Sequence, residues 1–258
     1  MKATVRIPAQ APYFEGHFPG RPILPGVVEL MLAHAALARE AQRPLALRGI
    51  AFARLRQLVG PGDVLDLDAR ESEPDRLRIE LTRAGMAVAS AELIAGLPHA
   101  PHACRLPQTA AEPMPAMPAL DALLPHRLPM RFIRSIAGES ARGLDCIASI
   151  PGASGLVRDG HAHVLAAVEA AAQGAAAWEA LRRWREGDAS AENTTPKIGY
   201  LVSLREVAFF AEQVPGERCF AASVTLEAAV PPLAHYRFDV SLAGQPLARG
   251  FLSTFLAG

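Results

Sequence analysis

The chain has 258 residues, half of them apolar and a fifth charged, which is globular composition with material for one large core or two ordinary ones. Its 26 basic and 26 acidic side chains balance, which argues against wholesale binding to nucleic acid or to an anionic membrane. No apolar run approaches the roughly 18–20 residues of a membrane span. The N-terminal MKATVRIPAQAPYFEG lacks the apolar core of a secretory signal. Next comes GHFPGRPILPGVVELMLAHAA (16–36), in which a Gly/Pro-rich loop carrying His17 runs straight into an apolar helix predicted over 26–42. Such a loop presents His17 rigidly, but an acid–base histidine needs a second titrating group. His34, further along the same helix, reads as a packing residue.

Three segments with period-two alternation follow: VLDLDA (64–69), RLRIELT (76–82) and AVASAELI (87–94), each a predicted strand. Residues 97–118 then hold six prolines among alanines and small polar residues, a density that neither helix nor sheet accommodates. The expected division is a first unit at 1–97, a linker at 98–118 and a second unit at 119–258. The second unit begins with strands RFIRSI and GLDCIASI and continues with a helix predicted over 163–185. Four more strands follow: YLVSLREVAFF, CFAASVTLEAA, HYRFDVSL and LARGFLSTF.

The halves echo one another. RGIAF (48–52) followed by PGD (61–63) corresponds to REVAF (205–209) followed by PGE (215–217), and GMAVASAEL corresponds to GQPLARGFL. The second helix, VLAAVEAAAQGAAAWEAL, is apolar on nearly all faces, the mark of a helix buried on every side. An antiparallel sheet wrapped around a central helix, twice over, satisfies both patterns. Cys104, Cys146 and Cys219 are scattered and show neither metal-ligand nor disulfide spacing. The expectation is a reduced, cytoplasmic protein without metal or cofactor.

HFPGRPILPG resembles the signature loop of the FabA/FabZ family of 3-hydroxyacyl-carrier-protein dehydratases. RLRQLVGPGDVLDLD, LLPHRLPM (123–130) and VEAAAQ (168–173) are similar to further elements of that family. The order of the halves also resembles the double-hotdog dehydratase domains of polyketide synthases and the paired dehydratases of aryl polyene pathways. The resemblance implies an α+β double hotdog and dehydration of 3-hydroxyacyl thioesters on an acyl carrier protein, with no cofactor. It also implies an intramolecular pseudo-dimer, with further oligomerisation open. A hotdog thioesterase and a non-catalytic acyl-binding subunit stay open as alternatives.

In that family the catalytic carboxylate lies fourteen residues after the loop histidine. Here that position is Met31, which has no proton to give. Glu29 does not replace it, because two residues rotate a side chain by about 200° around a helix. The second half shows the reverse: no HFPG loop, but Glu169 in the middle of its apolar helix and Gln173 one turn on. The resemblance implies one composite site, with His17 as base, Glu169 as acid, and Gly26, Phe18, Pro19 and Gln173 binding substrate. The Gly26 N–H would serve the thioester oxygen. The counterpart around Met31 and Ala35 is expected to be a dead, apolar and narrowed pocket. His126 reads as a residue that stabilises a turn or helix start, with a place in the substrate site as the alternative. His161 and His163 precede the acid helix but lack a Pro-Gly scaffold, which leaves a histidine for the second site as the lesser reading. LRRWRE (181–186) reads as a solvated helix end, with a carrier-protein docking patch as the alternative.

Overall fold

The computed structural model describes residues 1–41, 45–96, 116–187 and 197–256. The first half contains β1 (Lys2–Arg6), a 3-10 turn (Pro12–Phe14), α1 (Gly26–Glu40), β2 (Leu47–Leu55), β3 (Val64–Glu73), β4 (Arg76–Arg83) and β5 (Met86–Ala95). The second contains the single turn α2 (Leu120–Leu123), β6 (Ile133–Ser140), β7 (Gly143–Ala148), a 3-10 turn (Gly152–Ser154), β8 (Val157–Arg158) and β9 (His161–His163). It continues with α3 (Leu165–Arg185), β10 (Gly199–Phe209), β11 (Gln213–Pro215), β12 (Phe220–Val230), β13 (Leu233–Leu242) and β14 (Gln245–Leu256). Most of the Pro-rich segment, residues 97–115, lies outside the described residues.

Alternation and helical period together build the cores. Leu65, Leu67 and Ala69 of β3 and Ile79 and Leu81 of β4 point inward, and Val27, Leu30, Ala33 and Leu37 of α1 meet that first core. In the second half α3 packs against β6, β7, β12, β13 and β14. It buries almost every residue from Leu165 to Leu181, so its all-round apolar sequence is explained by a sheet that wraps it. Each half is a hotdog.

The halves join through their sheets. The strands order as β1-β3-β4-β5-β2-β10-β14-β13-β12-β7-β6, one antiparallel sheet of eleven strands. The join is β2 against β10, the two strands that carry the repeated RGIAF and REVAF. Ile50 pairs with Val207, its equivalent in the repeat, so a local two-fold axis passes between them. Pairing here removes two strand edges that would otherwise stand open. α1 also packs against α3 across the join. Four short strands escaped the sequence reading: β1, which extends the sheet beside β3, and β8, β9 and β11, which form a small sheet beside the start of α3. Runs of two to five residues are too short for periodicity to register.

Gly49 sits at the join, and a Cβ there would run into the Val207 carbonyl oxygen of β10. Gly49→Val should therefore cost about 1–3 kcal/mol, the usual cost of overpacking. Gly199→Ala, where a Cβ meets open space, should be near neutral. Denaturant titrations of the two variants check this, and equal effects would contradict the close approach.

Candidate active site

His17 is held by its loop from below and by the second half from above. After the first 3-10 turn the chain passes through Gly16 at φ +78°, a left-handed conformation that glycine adopts without strain. The Gly16 carbonyl accepts a hydrogen bond from Arg127 N–H at 2.7 Å, and a Cβ on Gly16 would collide with the Arg127 carbonyl oxygen. This contact docks the PHR turn of the second half directly on the histidine loop. His17 Nδ1 lies 2.7 Å from the Ile23 carbonyl oxygen. A carbonyl only accepts, so Nδ1 carries the hydrogen and Nε2 of the neutral ring is left as an open base. That Nε2 stands 4.0 Å from Glu169 Oε1.

Glu169 comes from the interior of α3 and is buried, as Gln173 is. Gln173 works as a clamp. Its Nε2 donates to Glu169 Oε1 at 3.1 Å and to the Met130 carbonyl at 2.9 Å, while its Oε1 accepts from Phe132 N–H at 2.8 Å. One amide side chain thus fixes the acid's orientation and the strand entry after the PHR turn. Burial pushes the Glu169 pKa up to about 6, partly offset by the Gln173 bond. Burial pushes His17 down to about 4, offset in part by the Ile23 carbonyl. Both groups are therefore biased toward their neutral forms.

His126 belongs to this cluster, in line with the alternative reading and not with a turn role alone. It is buried, with Nε2 3.7 Å from Glu169 Oε1 and its ring 5.2 Å from that of His17. Its Nδ1 is buried without a hydrogen-bond partner among the described residues. Burial, then the charges of His17 and Arg127, hold it well below the ordinary histidine range. The signal was present in LLPHRLPM, but its contact with His17 depends on the Gly16–Arg127 bond, which pairs residues far apart in sequence. Among the described residues, one ligand atom from each of His17, His126 and Glu169 lies within 4.8 Å of the other two, a spacing that can also admit a metal ion.

A cavity of about 400 Å³ opens on the cluster. His17, Phe18, Gly26, Glu29, His126, Glu169 and Gln173 are in its wall. The Phe18 ring stacks 4.2 Å from His17. Gly26 opens α1, whose first amides have no acceptor within the helix. Pro19 is not brought to the cavity: it is exposed on the loop tip, where its fixed φ shapes the turn.

The counterpart site is neither apolar nor narrowed, contrary to the expectation above. Its cavity measures about 510 Å³ and is lined by Met31, His34, Ala35, Leu156 and His163, among others. Leu156 follows the left-handed Gly155 of the second 3-10 turn, as His17 follows Gly16 in the first. The two histidines form a relay across the halves. Leu165 N–H donates to His163 Nδ1 at 3.2 Å, His163 Nε2 meets His34 Nδ1 at 3.3 Å, and His34 Nε2 meets the Leu45 carbonyl at 2.6 Å. The carbonyl fixes the His34 tautomer and so the direction of the whole chain of bonds. Every ring nitrogen is used, so this pair offers no open base, and Met31 offers no acid.

Comparison with known proteins adds the relatives. Residues 1–92 match a family model described as ApeI dehydratase, and residues 118–257 match one described as ApeP dehydratase. The FabZ 3-hydroxyacyl-[acyl-carrier-protein] dehydratase of Chloroflexus aggregans is 39% identical over 71 residues, covering 25% of this chain and 49% of that protein. That of Thermus thermophilus is 41% identical over 75 residues, covering 26% and 53%. The chain thus spans about half the length of the curated relatives it matches. Among solved structures, a trans-AT polyketide synthase dehydratase domain from Brevibacillus brevis aligns with a TM-score of 0.76 at 12% identity, covering 100% of this chain and 94% of that one. The dehydratase domain of PpsC from Mycobacterium tuberculosis aligns at 0.69 and 17%, covering 99% and 93%. At such identities the structural matches establish the double-hotdog fold alone.

The Glu169 pKa makes a stability prediction. Folded, the carboxyl keeps its proton up to about 6, against an ordinary value of 4.5. Its favourable contribution is full below the ordinary value and is lost as pH rises through the folded one, a difference of about 2 kcal/mol. Relative to wild type, Glu169→Gln should therefore be more stable at pH 8 than at pH 4 by about that amount. Denaturant titration at the two pH values measures it, and a pH-independent difference would contradict a buried, neutral carboxyl.

Proposed function

From a chain that belongs to the ApeP-like dehydratase family through residues 118–257, with an ApeI-like unit ahead of it, we propose a single composite dehydratase site shared between two units, 1–97 and 119–258, joined by 98–118. The reaction is removal of water from a 3-hydroxyacyl thioester carried by an acyl carrier protein, giving the trans-2-enoyl thioester. The supporting observation is the pairing of an open histidine base with a buried acid, His17 Nε2 to Glu169 Oε1 at 4.0 Å. Fatty-acid, polyene or polyketide-type biosynthesis is the setting that the relatives support, and aryl polyene synthesis is the specific setting we favour.

His17 Nε2 takes the proton from C2. Negative charge develops on the thioester oxygen, where the Gly26 amide and the positive end of α1 are placed to meet it. The electron pair of the C2–H bond becomes the double bond, the C3–O bond breaks, and Glu169 protonates the departing hydroxyl as water. Glu169 Oε1 is engaged by Gln173, which leaves Oε2 to carry that proton. Base and acid stand side by side, so they act on one face of the C2–C3 bond and the elimination is syn. The proton then returns from His17 to Glu169 across the short gap, with His126 as the adjacent relay.

His17→Ala and Glu169→Gln should each lower kcat by about a hundredfold or more, the usual scale for a positioned acid or base. The double variant should lose little beyond the worse single, because the pair acts as a unit. The appearance of the conjugated enoyl thioester, followed by absorbance, reports all three rates, and near wild-type turnover in either single variant would overturn the reading. The kcat/KM profile should fall on the acid side as His17 protonates near pH 4 and on the basic side as Glu169 ionises near pH 6. Bound substrate excludes water and favours the neutral forms further, so the kcat profile should be broader.

A further inference from the structure

α1 faces two cavities. Met31, His34 and Ala35 line the counterpart cavity, whereas Gly26 and Glu29 line the one that holds His17 and Glu169. The rotation of about 200° that stops Glu29 from replacing Met31 is what turns it into the working site. Glu29 is 3% exposed, and its Oε2 is buried with no hydrogen-bond partner among the described residues. A buried carboxyl oxygen left without a partner is costly, and a partner supplied by a ligand removes that cost. The reaction assigned above does not use Glu29.

The lining of the cavity says which part of a ligand comes here. Glu29 lies with Gly26, Arg56 and Gln57 of the first half, and Gln57 Oε1 also accepts a bond from Arg83 at 3.2 Å. Beyond the cluster the second half gives Ala172, Ala176, Leu201, Val202 and Phe255, together with Thr254 and Tyr200. The Tyr200 hydroxyl is also buried without a hydrogen-bond partner among the described residues, and Leu55 and Leu58 stand beside Arg56 and Gln57 in the first half. A thioester has two arms that leave the reacting centre in opposite directions. The acyl tail fits the side richer in hydrocarbon, and the thiol side, with its amides, fits the side where Glu29, Arg56 and Gln57 stand. Helical side chains lean toward the N-terminus, which inclines Glu29 toward the start of α1, and Glu29 and Gly26 line the same cavity.

We propose that the Glu29 carboxyl is a subsite for an amide of the pantetheine-type arm that carries the acyl group. The proposal rests on the composite-site reading, since it takes the orientation of the thioester from it. Burial pushes the Glu29 pKa well above the ordinary carboxylate value, against the charge of Arg83. In that neutral form the group can either donate its O–H to an amide carbonyl or accept from an amide N–H; the two point in opposite directions in a trans amide, so one amide uses one of them.

The test compares one 3-hydroxyacyl group on three thiols: pantetheine, N-acetylcysteamine and a simple alkyl thiol without an amide. Wild type should prefer the amide-bearing thioesters. Glu29→Leu should lower kcat/KM on those two by about tenfold or more, mainly through KM, and leave the alkyl thioester unchanged. Glu29→Gln, which keeps a donor and an acceptor, should retain the preference and serves if the leucine variant does not fold. An equal loss on all three thioesters, or a loss on none, would overturn the subsite. A loss that instead tracks polar groups placed at the far end of the acyl chain would overturn it in favour of an acyl-end contact. If wild type turns over none of them, the dehydratase reading fails on its own. Calorimetric binding of an unreactive alkyl pantetheine thioether then decides the subsite: weaker binding to Glu29→Leu supports it, and equal binding overturns it.

Discussion

The Glu169 carboxyl sits inside a hotdog core, on a helix whose buried stretch is mostly alanine with valine and leucine, and it must be neutral to stay there. Burial alone raises its pKa, but a neutral acid free to rotate would be a poor catalyst. Gln173 settles the orientation, one turn along the same helix, by bonding the carboxyl and both sides of the 130–132 backbone at once. That backbone continues the turn that bears His126 and docks on Gly16. The acid, the second histidine and the loop histidine are therefore tied into one rigid unit by three hydrogen bonds of Gln173 and one between Arg127 and Gly16. Loosening any of them separates groups that come from different halves of the chain.

A two-fold arrangement of hotdogs brings two equivalent sites, and this chain treats them differently. One has His17 with Glu169; the other has Leu156 and Met31 in the corresponding places. The second cavity has kept its volume, and its polar residues have been turned to structure. The His34–His163 relay joins α1, the start of α3 and the Leu45 carbonyl, and spends every ring nitrogen in doing so. In the composite site proposed above, fusion lets each half lose one member of the pair, because the complementary member is always present at the same concentration and in the same geometry.

Much of this was legible in the sequence. The helices declared themselves through long apolar runs and the strands through alternation. The repeat RGIAF/REVAF pointed to two copies of one plan, and those strands are the ones that pair. His17 stood out because its loop is unusual, and Glu169 because a lone acid in an alanine-rich helix needs a reason. Other features depended on contacts that no local pattern encodes. His126 meets His17 only because residue 127 bonds residue 16, and His34 meets His163 only because α1 packs against the second half beside the start of α3. The helical wheel separates Glu29 from Met31, but it does not say that the face Glu29 occupies belongs to the cavity of His17 and Glu169. Pro19 shows the opposite error, since a place in a motif does not put a side chain in the cavity wall.

The central claim is that the two halves divide the chemistry, with the proton at C2 belonging to His17 and the proton given to the leaving hydroxyl belonging to Glu169. Exchange of the C2 hydrogen of bound 3-hydroxyacyl thioester with deuterated solvent, followed by mass spectrometry in the two single variants, tests that division most directly. The account predicts that exchange persists in Glu169→Gln, where the base is intact and dehydration is blocked, and disappears in His17→Ala. Exchange that survives in His17→Ala and is lost in Glu169→Gln would contradict it.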